Sequence, residues 1–598
     1  MRVGTDTGGT FTDVVGADGS VAKVPSTPSD PGEAVRAGLA LLGGSVPDVL
    51  AHGTTVATNA VLERRLATVA LLTSPGTRDV IEIARQDRPS LYDSAVRRPE
   101  PLVPRDLRVE VAGRLDSAGV EVEPFDGSLP ELPPEVDAVA VVLLHSDLNP
   151  SHEREVAAAL AETGLDVCCS SDVSPEMREY ERTVTTVVNA ALRPRCRAYL
   201  HGLEGVADQV VVMTSAAGLM DAVDAAELPA AILLSGPAGG VRAAVEVAVA
   251  NGFPDAVTLD MGGTSTDVGL VLDGHPTPAA EREVGGFTVR FPSLDVLTIG
   301  AGGGSIASID TGGALVVGPR SAGAEPGPAC YGRGGTEPTV TDANVVAGRI
   351  ADGSEMGGLV LRRDLARAAL EQAGVTADGV ISVVNANMER ALRTATIERG
   401  VDPRGLALVA FGGAGPLHAC ELADSLDIST VLVPARAGVL SAVGILTAPA
   451  RRDLVRSWPT PREHARVAAA AESLGREAAA LVGEGAVVTT SVDCRYEGQS
   501  HEITVPTVED FAAEHERRNG YARPGAVVEV VAVRATAEVP ASVSMADLPV
   551  PSRLDGPVEG PATIAEDDCT IWVPSGWTAV QGVGGALVLR HSTDEGTA

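Results

Sequence analysis

The sequence predicts an α/β fold with two similar lobes, each a mixed β-sheet flanked by helices, followed by a C-terminal α+β module. Three observations favour it. One nine-residue motif occurs twice, strand-like and helix-like stretches alternate around both copies, and beyond residue 450 short β segments with Pro and Gly turns predominate. We therefore predict lobes at residues 1–200 and 201–455, and the module at residues 456–598.

The duplicated motif occupies residues 6–14 and 260–268, and seven of its nine positions agree. Alternating β-branched segments flank both copies, which predicts two β-hairpins with Gly-Gly turns. Gly-Gly permits positive φ and lets backbone N–H groups crowd against an anion, while Thr hydroxyls add short donors. The two hairpins therefore predict two cradles that hold one polyphosphate between the lobes. The cradle residues are Thr7, Gly8, Gly9, Thr10, Thr12, Gly262, Gly263, Thr264 and Thr266.

Each copy of the motif contains two aspartates, which we expect to differ in their roles. Asp6 and Asp260 open the copies at predicted strand ends, where a carboxylate can hold a hydrated Mg²⁺. Asp13 and Asp267 are candidates for a catalytic base or a water-orienting group. For this second pair the alternative, a carboxylate that braces its own hairpin, stays open.

Glycine clusters at three further places indicate close approach of backbone to a ligand. The cluster at residues 411–418 follows a strand-like run and opens a helix. Such a strand, Gly-Gly, helix order lets the base and ribose of a nucleotide lie flat on backbone, so we expect Gly412, Gly413 and Gly415 to support a nucleoside. The other clusters are residues 235–240, predicted to precede a helix, and residues 299–305.

A strand end, a Thr cap and a helix are predicted over residues 52–63, so polar side chains gather at one helix N-terminus. A helix-cap histidine with a satisfied hydrogen bond is the alternative for His52, and it stays open. The histidines are dispersed and form no Cys/His cluster, so no protein-bound transition metal is indicated. The candidate substrate residues are His52, Thr54, Thr55 and Asn59, with Gly303, Gly304 and Ser305 of the second lobe.

The composition excludes several classes of function. A formal net charge of −34 repels phosphates, so neither nucleic acid nor an anionic membrane is an expected partner. Lys23 is the single lysine, which excludes a G-x-x-x-x-G-K-[ST] phosphate loop, a Schiff-base lysine and a biotin tether. The cysteines are scattered, no signal peptide precedes the first strand and no apolar run is long enough for a bilayer, which predicts a cytoplasmic protein.

Two lobes with D-x-G-G-T hairpins and a strand, Gly-Gly, helix segment resemble the actin, sugar-kinase and Hsp70 ATPase superfamily, which implies actin-like (ribonuclease-H-like) lobes. More narrowly, the chain resembles the hydantoinase A/5-oxoprolinase family, which includes N-methylhydantoinase subunits and the ATP-binding subunits of acetone-carboxylase-type enzymes. Residues 215–218 read Ser-Ala-Ala-Gly where family members commonly have Ser-Asn-Gly-Gly. The resemblance rests on residues 4–13, 52–63, 144–149, 180–190, 235–240, 260–268, 299–307, 318–335, 339–344, 402–419, 438–444 and 495–499.

The resemblance implies an ATP-dependent hydrolase subunit that opens a cyclic amide of the 5-oxoproline or hydantoin type by phosphorylating the amide carbonyl. It implies ATP and Mg²⁺ as cofactors, with the hairpins on the β- and γ-phosphates, a second hydantoinase B-type subunit, and an oligomer. Two alternatives stay open. One is the ATP-binding subunit of a biotin-independent ketone carboxylase, and the other is a regulatory ATPase that activates a partner subunit.

Overall fold

The computed structural model describes residues 1–27, 30–93, 95–356 and 359–591. Its first large sheet contains the first hairpin, in which Arg2–Thr7 pairs antiparallel with Phe11–Gly16. Val49–Thr54, buried over most of its length, pairs parallel with Arg2–Thr7. In sheet order the ten strands within the described residues are Ile503–Val505, Val487–Tyr496, Val528–Val539, Ala450–Ser457, Leu219–Asp221, Gln209–Met213, Val49–Thr54, Arg2–Thr7, Phe11–Gly16 and Val21–Pro25.

A smaller parallel sheet completes the first lobe. Two of its strands, Val69–Thr73 and Ala138–Val142, are buried at every position, as expected for parallel strands covered on both faces. The long helix Glu179–His201 packs against this sheet and buries Val184, Val187, Val188 and Leu192 along one side. The strand order is Asp166–Cys169, Ala138–Val142, Val69–Thr73 and Arg108–Glu110.

The second large sheet contains the second hairpin, in which Ala256–Met261 pairs antiparallel with Thr266–Leu272. Ala407–Phe411, buried at every position, pairs parallel with Ala256–Met261. Two mixed sheets flanked by helices therefore confirm the predicted fold class. The main strand order is His275–Pro276, Thr266–Leu272, Ala256–Met261, Ala407–Phe411, Thr430–Val433, Leu587–His591, Trp577–Gln581 and Val558–Glu559, and Val296–Ile299 also pairs with Thr266–Leu272.

The structure corrects the predicted boundary near residue 200. Gln209–Met213 pairs parallel with Val49–Thr54, and Leu219–Asp221 pairs with Gln209–Met213. Both strands therefore extend the first sheet, and the first lobe continues past the long helix. Strand periodicity in a sequence identifies a strand without identifying its neighbour, which is why this partner was missed.

The chain after residue 456 also differs from the prediction, because it does not form one separate body. Residues 467–537 have a small core of their own, with helix Val467–Val482 packed on the strand Val528–Val539. That strand nevertheless pairs with Ala450–Ser457 and so continues the first sheet. The last strand, Leu587–His591, pairs with Thr430–Val433 in the second sheet. An added strand satisfies the unpaired backbone groups at an open sheet edge. Each part of the C-terminal chain therefore pairs with a strand of one of the two large sheets.

Two helices that contact strands of the large sheets also pack against each other, and glycines lie where the two helices touch. Helix Ser235–Ala250 contacts strands of both sheets, and helix Leu440–Leu446 packs against it and against Arg2–Thr7. A Cβ on Gly444 would lie 1.9 Å from the carbonyl oxygen of Gly239, so the two backbones touch. The glycines at 235–240 therefore begin this helix rather than precede it, and Gly239 serves helix packing.

The other helices complete the outer layers. Among the described residues, none of the helices combines the length and the apolar character needed to cross a membrane. All seven cysteines are buried as free thiols. The remaining described helices of eight or more residues are Pro31–Leu41, Ser151–Leu160, Val340–Ala347, Arg363–Ala373, Ala377–Ala395 and Phe511–Asn519.

Candidate active site between two aspartate hairpins

The turns of the two hairpins face each other across one cavity. Asp6 is opposite Asp13 in the first hairpin and Asp260 is opposite Asp267 in the second, so both hairpins repeat one register. A Cβ on Gly263 of the second turn would lie 3.0 Å from Oγ1 of Thr10 in the first. Both turns line a cavity of about 590 Å³, a size typical of small-molecule sites. The duplicated motif therefore builds a single site between the lobes.

The turn residues divide into those that line the cavity and those that brace the turns. Thr12 and Thr266, predicted to bind phosphate, are fully buried away from it. The Oγ1 of Thr12 lies 3.1 Å from the Ser26 hydroxyl, and Thr266 donates to the carbonyl of Ala301 at 2.5 Å. Thr12 and Thr266 therefore stabilise the loops, whereas Thr7 is buried outside the lining and its Oγ1 has no hydrogen-bond partner within the described residues. The predicted cradle residues that do line the cavity are Gly8, Gly9, Thr10, Gly262, Gly263 and Thr264.

The four hairpin carboxylates all line the cavity, where Asp267 is buried and the other three are partly buried. Burial, and then the charge of Asp13, raise the pKa of Asp6 to about 7 against the opposing charge of Lys23. Burial, and then the charges of Asp267 and Asp6, raise the pKa of Asp260 to about 8. Burial also raises the pKa of Asp267 to about 6. Carboxylates crowded in a medium of low dielectric constant favour protonation unless a cation compensates them, so the site attracts positive charge.

The second aspartate of each hairpin has a resident partner. Asp13 forms an ion pair with Lys23, with 2.9 Å between Oδ1 and Nζ. Asp267 accepts a hydrogen bond from Oγ1 of Thr298 at 2.5 Å, and this bond and the charge of Arg282 lower its pKa against the larger effect of burial. These contacts fix the orientation of both carboxylates.

The opening aspartates, in contrast, fit a divalent cation. Within the described residues, Oδ1 of Asp6 has no hydrogen-bond partner although it is buried, and Asp260 forms no ion pair and accepts only a long hydrogen bond, 3.3 Å from the Ser441 hydroxyl. Glycines make room beside both groups, because a Cβ on Gly236 would lie 3.0 Å from Asp6 Oδ1 and one on Gly412 would lie 2.4 Å from Asp260 Oδ1. Two partly buried, mutually repelling carboxylates with free oxygens are suitable ligands for hydrated Mg²⁺.

The predicted nucleoside segment contributes two of its three glycines. Gly412 and Gly413 line the cavity after the strand Ala407–Phe411, and Gly412 has a φ of 78°, which favours glycine. Gly415 does not line the cavity. A Cβ on Gly415 would lie 3.3 Å from the carbonyl of Leu259, so this glycine serves close packing against the second hairpin.

Some of the candidate substrate residues line the cavity, and others do not. Thr55 and Asn59 line the cavity at the start of helix Val56–Leu62, and Gly303 and Gly304 line it from the second lobe. Thr54 and Ser305 are buried and do not line it. Oγ1 of Thr54 accepts from the N–H of Val56, and Ser305 Oγ accepts from the N–H of Gly302.

His52 lies in the strand Val49–Thr54 rather than at the cavity, which corrects its predicted substrate role. It is completely buried. Its Nδ1 lies 2.7 Å from Oγ1 of Thr5, and its Nε2 lies 2.8 Å from the Tyr199 hydroxyl. Burial lowers its pKa to about 4, so the ring is neutral near pH 7. The alternative of a satisfied structural histidine is therefore the one that the structure supports.

Sequence reasoning missed several residues that line the cavity, above all Lys23, Ser441 and Asp568. Lys23 also donates to the carbonyl of Gly438 at 3.0 Å, and Asp568 accepts from the Gly438 N–H at 2.8 Å. One signal was available for Lys23, since a single lysine placed in an alternating strand is unusual. Ser441 and Asp568 have no local signature, because distant parts of the chain bring them to the site.

Comparison with known proteins shows the family to which the chain belongs. The family model described as Hydantoinase/oxoprolinase matches residues 182–454, and the one described as Hydantoinase/oxoprolinase N-terminal region matches residues 2–164. The chain belongs to the hydantoinase/oxoprolinase family. Both aspartate hairpins and the strand Ala407–Phe411 fall inside the matched ranges.

Curated relatives in this family include enzymes whose names refer to a cyclic amide or to a ketone as the substrate. Caprolactamase subunit alpha of Pseudomonas jessenii is 34% identical, with 96% of this chain and 97% of the relative covered. Acetophenone carboxylase gamma subunit of Aromatoleum aromaticum is 35% identical over 73% of this chain and 66% of the relative. 5-Oxoprolinase 1 of Arabidopsis thaliana is 34% identical over 74% of this chain, which spans only 41% of that longer protein. ATP-dependent cyclic amide hydrolases are therefore homologous to this chain, and the family is enzymatic.

Solved structures give the same relationship over the whole chain. The ATP-dependent caprolactamase from Pseudomonas jessenii matches with a TM-score of 0.82 and 32% identity, covering 99% of this chain and 100% of that one. A nucleotide-free acetone carboxylase structure matches with a TM-score of 0.78 at 23% identity, covering 99% and 100%. The latter likeness shows the shared fold.

Proposed function

We propose that this chain is the ATP-using subunit of a cyclic amide hydrolase, which phosphorylates the amide carbonyl and so opens the ring. The observation that carries the proposal is the cavity between two glycine turns in which Asp6 and Asp260 have uncompensated carboxylates. Relatedness to caprolactamase subunit alpha over nearly the full length of both chains supports a lactam as the substrate class.

The chemistry explains why ATP is needed. A lactam resists attack by water because its nitrogen shares electron density with the carbonyl. In the proposed reaction the carbonyl oxygen bonds to the γ-phosphorus of ATP as the bond to the bridging oxygen breaks and ADP leaves. Water then adds to the activated carbon, and the C–N bond breaks as the ring nitrogen takes up a proton. The resulting acyl phosphate reacts with a second water to give the amino acid and inorganic phosphate.

The chain's own residues supply position and charge, which dominate catalysis of phosphoryl transfer. Backbone N–H groups of the two turns, together with Thr10 and Thr264, would bind phosphate oxygens. Asp6 and Asp260 would hold Mg²⁺, which supplies neutralisation of the phosphate charge. Asp13, fixed by Lys23, and Asp267, fixed by Thr298, are candidates for orienting the attacking water.

A kinetic experiment tests the proposal. We expect Mg²⁺-dependent release of phosphate from ATP to increase when a lactam such as caprolactam or 5-oxoproline is added to the chain and its partner subunit. The variant Asp260→Asn should lose this activity to below about a tenth of wild type, while its circular dichroism stays unchanged. Asp208→Asn, at an exposed position, is the matched control. If no tested lactam increases the rate of ATP hydrolysis, the result would contradict a cyclic amide as the substrate class.

A ketone carboxylase is the second candidate, and the homology to acetophenone carboxylase gamma subunit favours it. In this case a ketone together with bicarbonate would stimulate ATP hydrolysis, and a lactam would not. The same assay therefore separates the two candidates.

We also propose that the enzyme works in an oligomeric assembly with a hydantoinase B-type subunit in the cytoplasm. Two relatives carry the word subunit in their names, which supports a multi-chain enzyme. Seven buried free thiols are compatible with a reducing compartment. Co-purification of the chain with the product of a neighbouring gene would test the assembly.

A further inference from the structure

One buried acceptor in the wall of the cavity lacks a donor. Asn344 lies on helix Val340–Ala347, is 1% exposed and lines the cavity. Its Nδ2 donates to the carbonyl of Val340 at 3.1 Å and lies 3.2 Å from Nε2 of His418. Its Oδ1 has no hydrogen-bond partner within the described residues. A buried amide oxygen without a donor costs free energy, so such an atom needs an explanation.

A chain of hydrogen bonds fixes which way this amide points. Asn385 donates through Nδ2 to Glu421 at 2.7 Å, so its Oδ1 faces Nδ1 of His418, also at 2.7 Å. Nδ1 of His418 must therefore carry the hydrogen, and Nε2 can only accept. Burial lowers the pKa of His418 to about 3, which keeps the ring neutral. Rotating the amide of Asn344 would set its oxygen against two acceptors, so the free position is held by oxygen.

The neighbouring surface suits a flat heterocycle. Leu417 and Ile350 are buried apolar residues that line the same cavity, which also borders on Gly412 and Gly413. Thr341, one turn before Asn344, already donates its hydroxyl to the carbonyl of Gly303 at 2.9 Å. Apolar walls with one oriented polar group are typical of sites that recognise a ligand ring.

We propose that Oδ1 of Asn344 accepts a hydrogen bond from the 6-amino group of adenine and thereby selects ATP over GTP. The inference rests on the proposed function, because it takes the cavity to be the nucleotide site. Adenine presents a donor at this position, whereas guanine presents the O6 acceptor, which would face the fixed amide oxygen. Asn344 is thus a specificity-determining residue, positioned by His418 and Asn385.

Binding measurements on the wild-type protein test the proposed hydrogen bond to the 6-amino group of adenine. Isothermal titration calorimetry in Mg²⁺ would compare ATP, GTP and purine riboside 5′-triphosphate, which lacks the 6-amino group. We expect ATP to bind at least about tenfold more tightly than either analogue, the range for a lost hydrogen bond to a buried partner. Equal affinities of ATP and purine riboside triphosphate would overturn the proposal while leaving the nucleotide site intact. If none of the three binds, the proposed function fails, and this inference with it.

The variant Asn344→Ala assigns the discrimination to one residue. We expect the affinity ratio between ATP and purine riboside triphosphate to fall to about one in this variant, since the acceptor is gone. Ala347→Ser, at an exposed position of the same helix outside the cavity lining, is the control and should keep the wild-type ratio. A ratio that survives in Asn344→Ala would overturn the assignment, and thermal unfolding of both variants reports whether they are folded.

Discussion

Lys23 and Asp13 show at the residue scale how a buried charge is held at the site. The two residues are opposite each other on neighbouring strands, and their ion pair places an ammonium group in the wall of the cavity. Because Lys23 is the single lysine, an amine reagent can react with only one side chain of this protein.

We expect Mg²⁺-ATP to protect Lys23 from acetylation by acetic anhydride, because the nucleotide would fill the cavity that gives access to Nζ. Mass spectrometry of peptides would measure the modified fraction with and without nucleotide, and protection should be about tenfold or more at saturating ATP. The α-amino group of Met1, ion-paired with Asp48 and absent from the cavity wall, is the internal control. Equal labelling of Lys23 in both conditions would place the nucleotide elsewhere.

His52 makes stability depend on pH. Its pKa is about 4 in the folded protein and about 6.5 in an unfolded chain, so between these values the unfolded chain binds a proton that the folded one does not. Stability contributed by neutral His52 is therefore complete above pH 6.5 and is lost as the pH falls towards 4. We expect a loss of roughly 2 kcal/mol between pH 7 and pH 5 from this residue.

Denaturant unfolding of wild type, His52→Gln and the exposed control His275→Gln at pH 7 and pH 5 would check this expectation. The pH dependence should be smaller in His52→Gln by about that amount and unchanged in His275→Gln. An unaltered pH dependence in His52→Gln would show that another group is responsible.

Residue roles could be predicted where local sequence fixes them. The repeated Asp, Gly and Thr positions in residues 6–14 and 260–268 identified four cavity carboxylates and six of the cradle residues. The role of His52 could not be predicted, because its partner Tyr199 is distant in the chain and only tertiary structure brings the two together. The same holds for Asn344 and His418.

At the scale of elements, the crossing of helices Ser235–Ala250 and Leu440–Leu446 determines how closely the lobes approach. The glycines at 235–240 indicated close approach to a ligand, and Gly236 does line the cavity, but nothing in the sequence indicated that Gly239 packs against another helix, since Gly clusters occur in both settings. Only the partner helix shows that Gly239 and Gly444 face each other.

We expect Gly444→Ala to destabilise the protein by about 1–3 kcal/mol or more, because its Cβ would overlap the backbone oxygen of Gly239 and neither helix can retreat cheaply. The midpoint of thermal unfolding measures the effect. Gly405→Ala, at a position with no atom within 4 Å of the added Cβ, is the control and should be neutral or slightly stabilising. A wild-type midpoint for Gly444→Ala would contradict the tight crossing.

At the scale of the whole molecule, the C-terminal chain completes both lobes. The segments at 528–539 and 587–591 could be predicted as strands, but their sheets could not, because each adds to an edge formed hundreds of residues earlier. Trp577, Leu587 and Leu589 are buried in the core of the second lobe.

We therefore expect a chain that ends at residue 455 to lose cooperative unfolding and to be largely insoluble, since removing those side chains exposes the sheet face and an open edge. A chain that ends at residue 591 retains every described strand and is the control. Size-exclusion chromatography and calorimetric unfolding would compare the two. A soluble 1–455 chain with the full-length transition temperature would contradict the shared sheets.

The central claim is that the two aspartate hairpins hold one nucleotide between them. The most direct test is calorimetric titration of Asp6→Asn and Asp260→Asn, one from each lobe, with Mg²⁺ and a non-hydrolysable ATP analogue. We predict that each single substitution weakens binding by at least about tenfold, while exposed Asp208→Asn binds as wild type does. Wild-type affinity in either hairpin variant would mean that one lobe alone accommodates the nucleotide, and would contradict the claim.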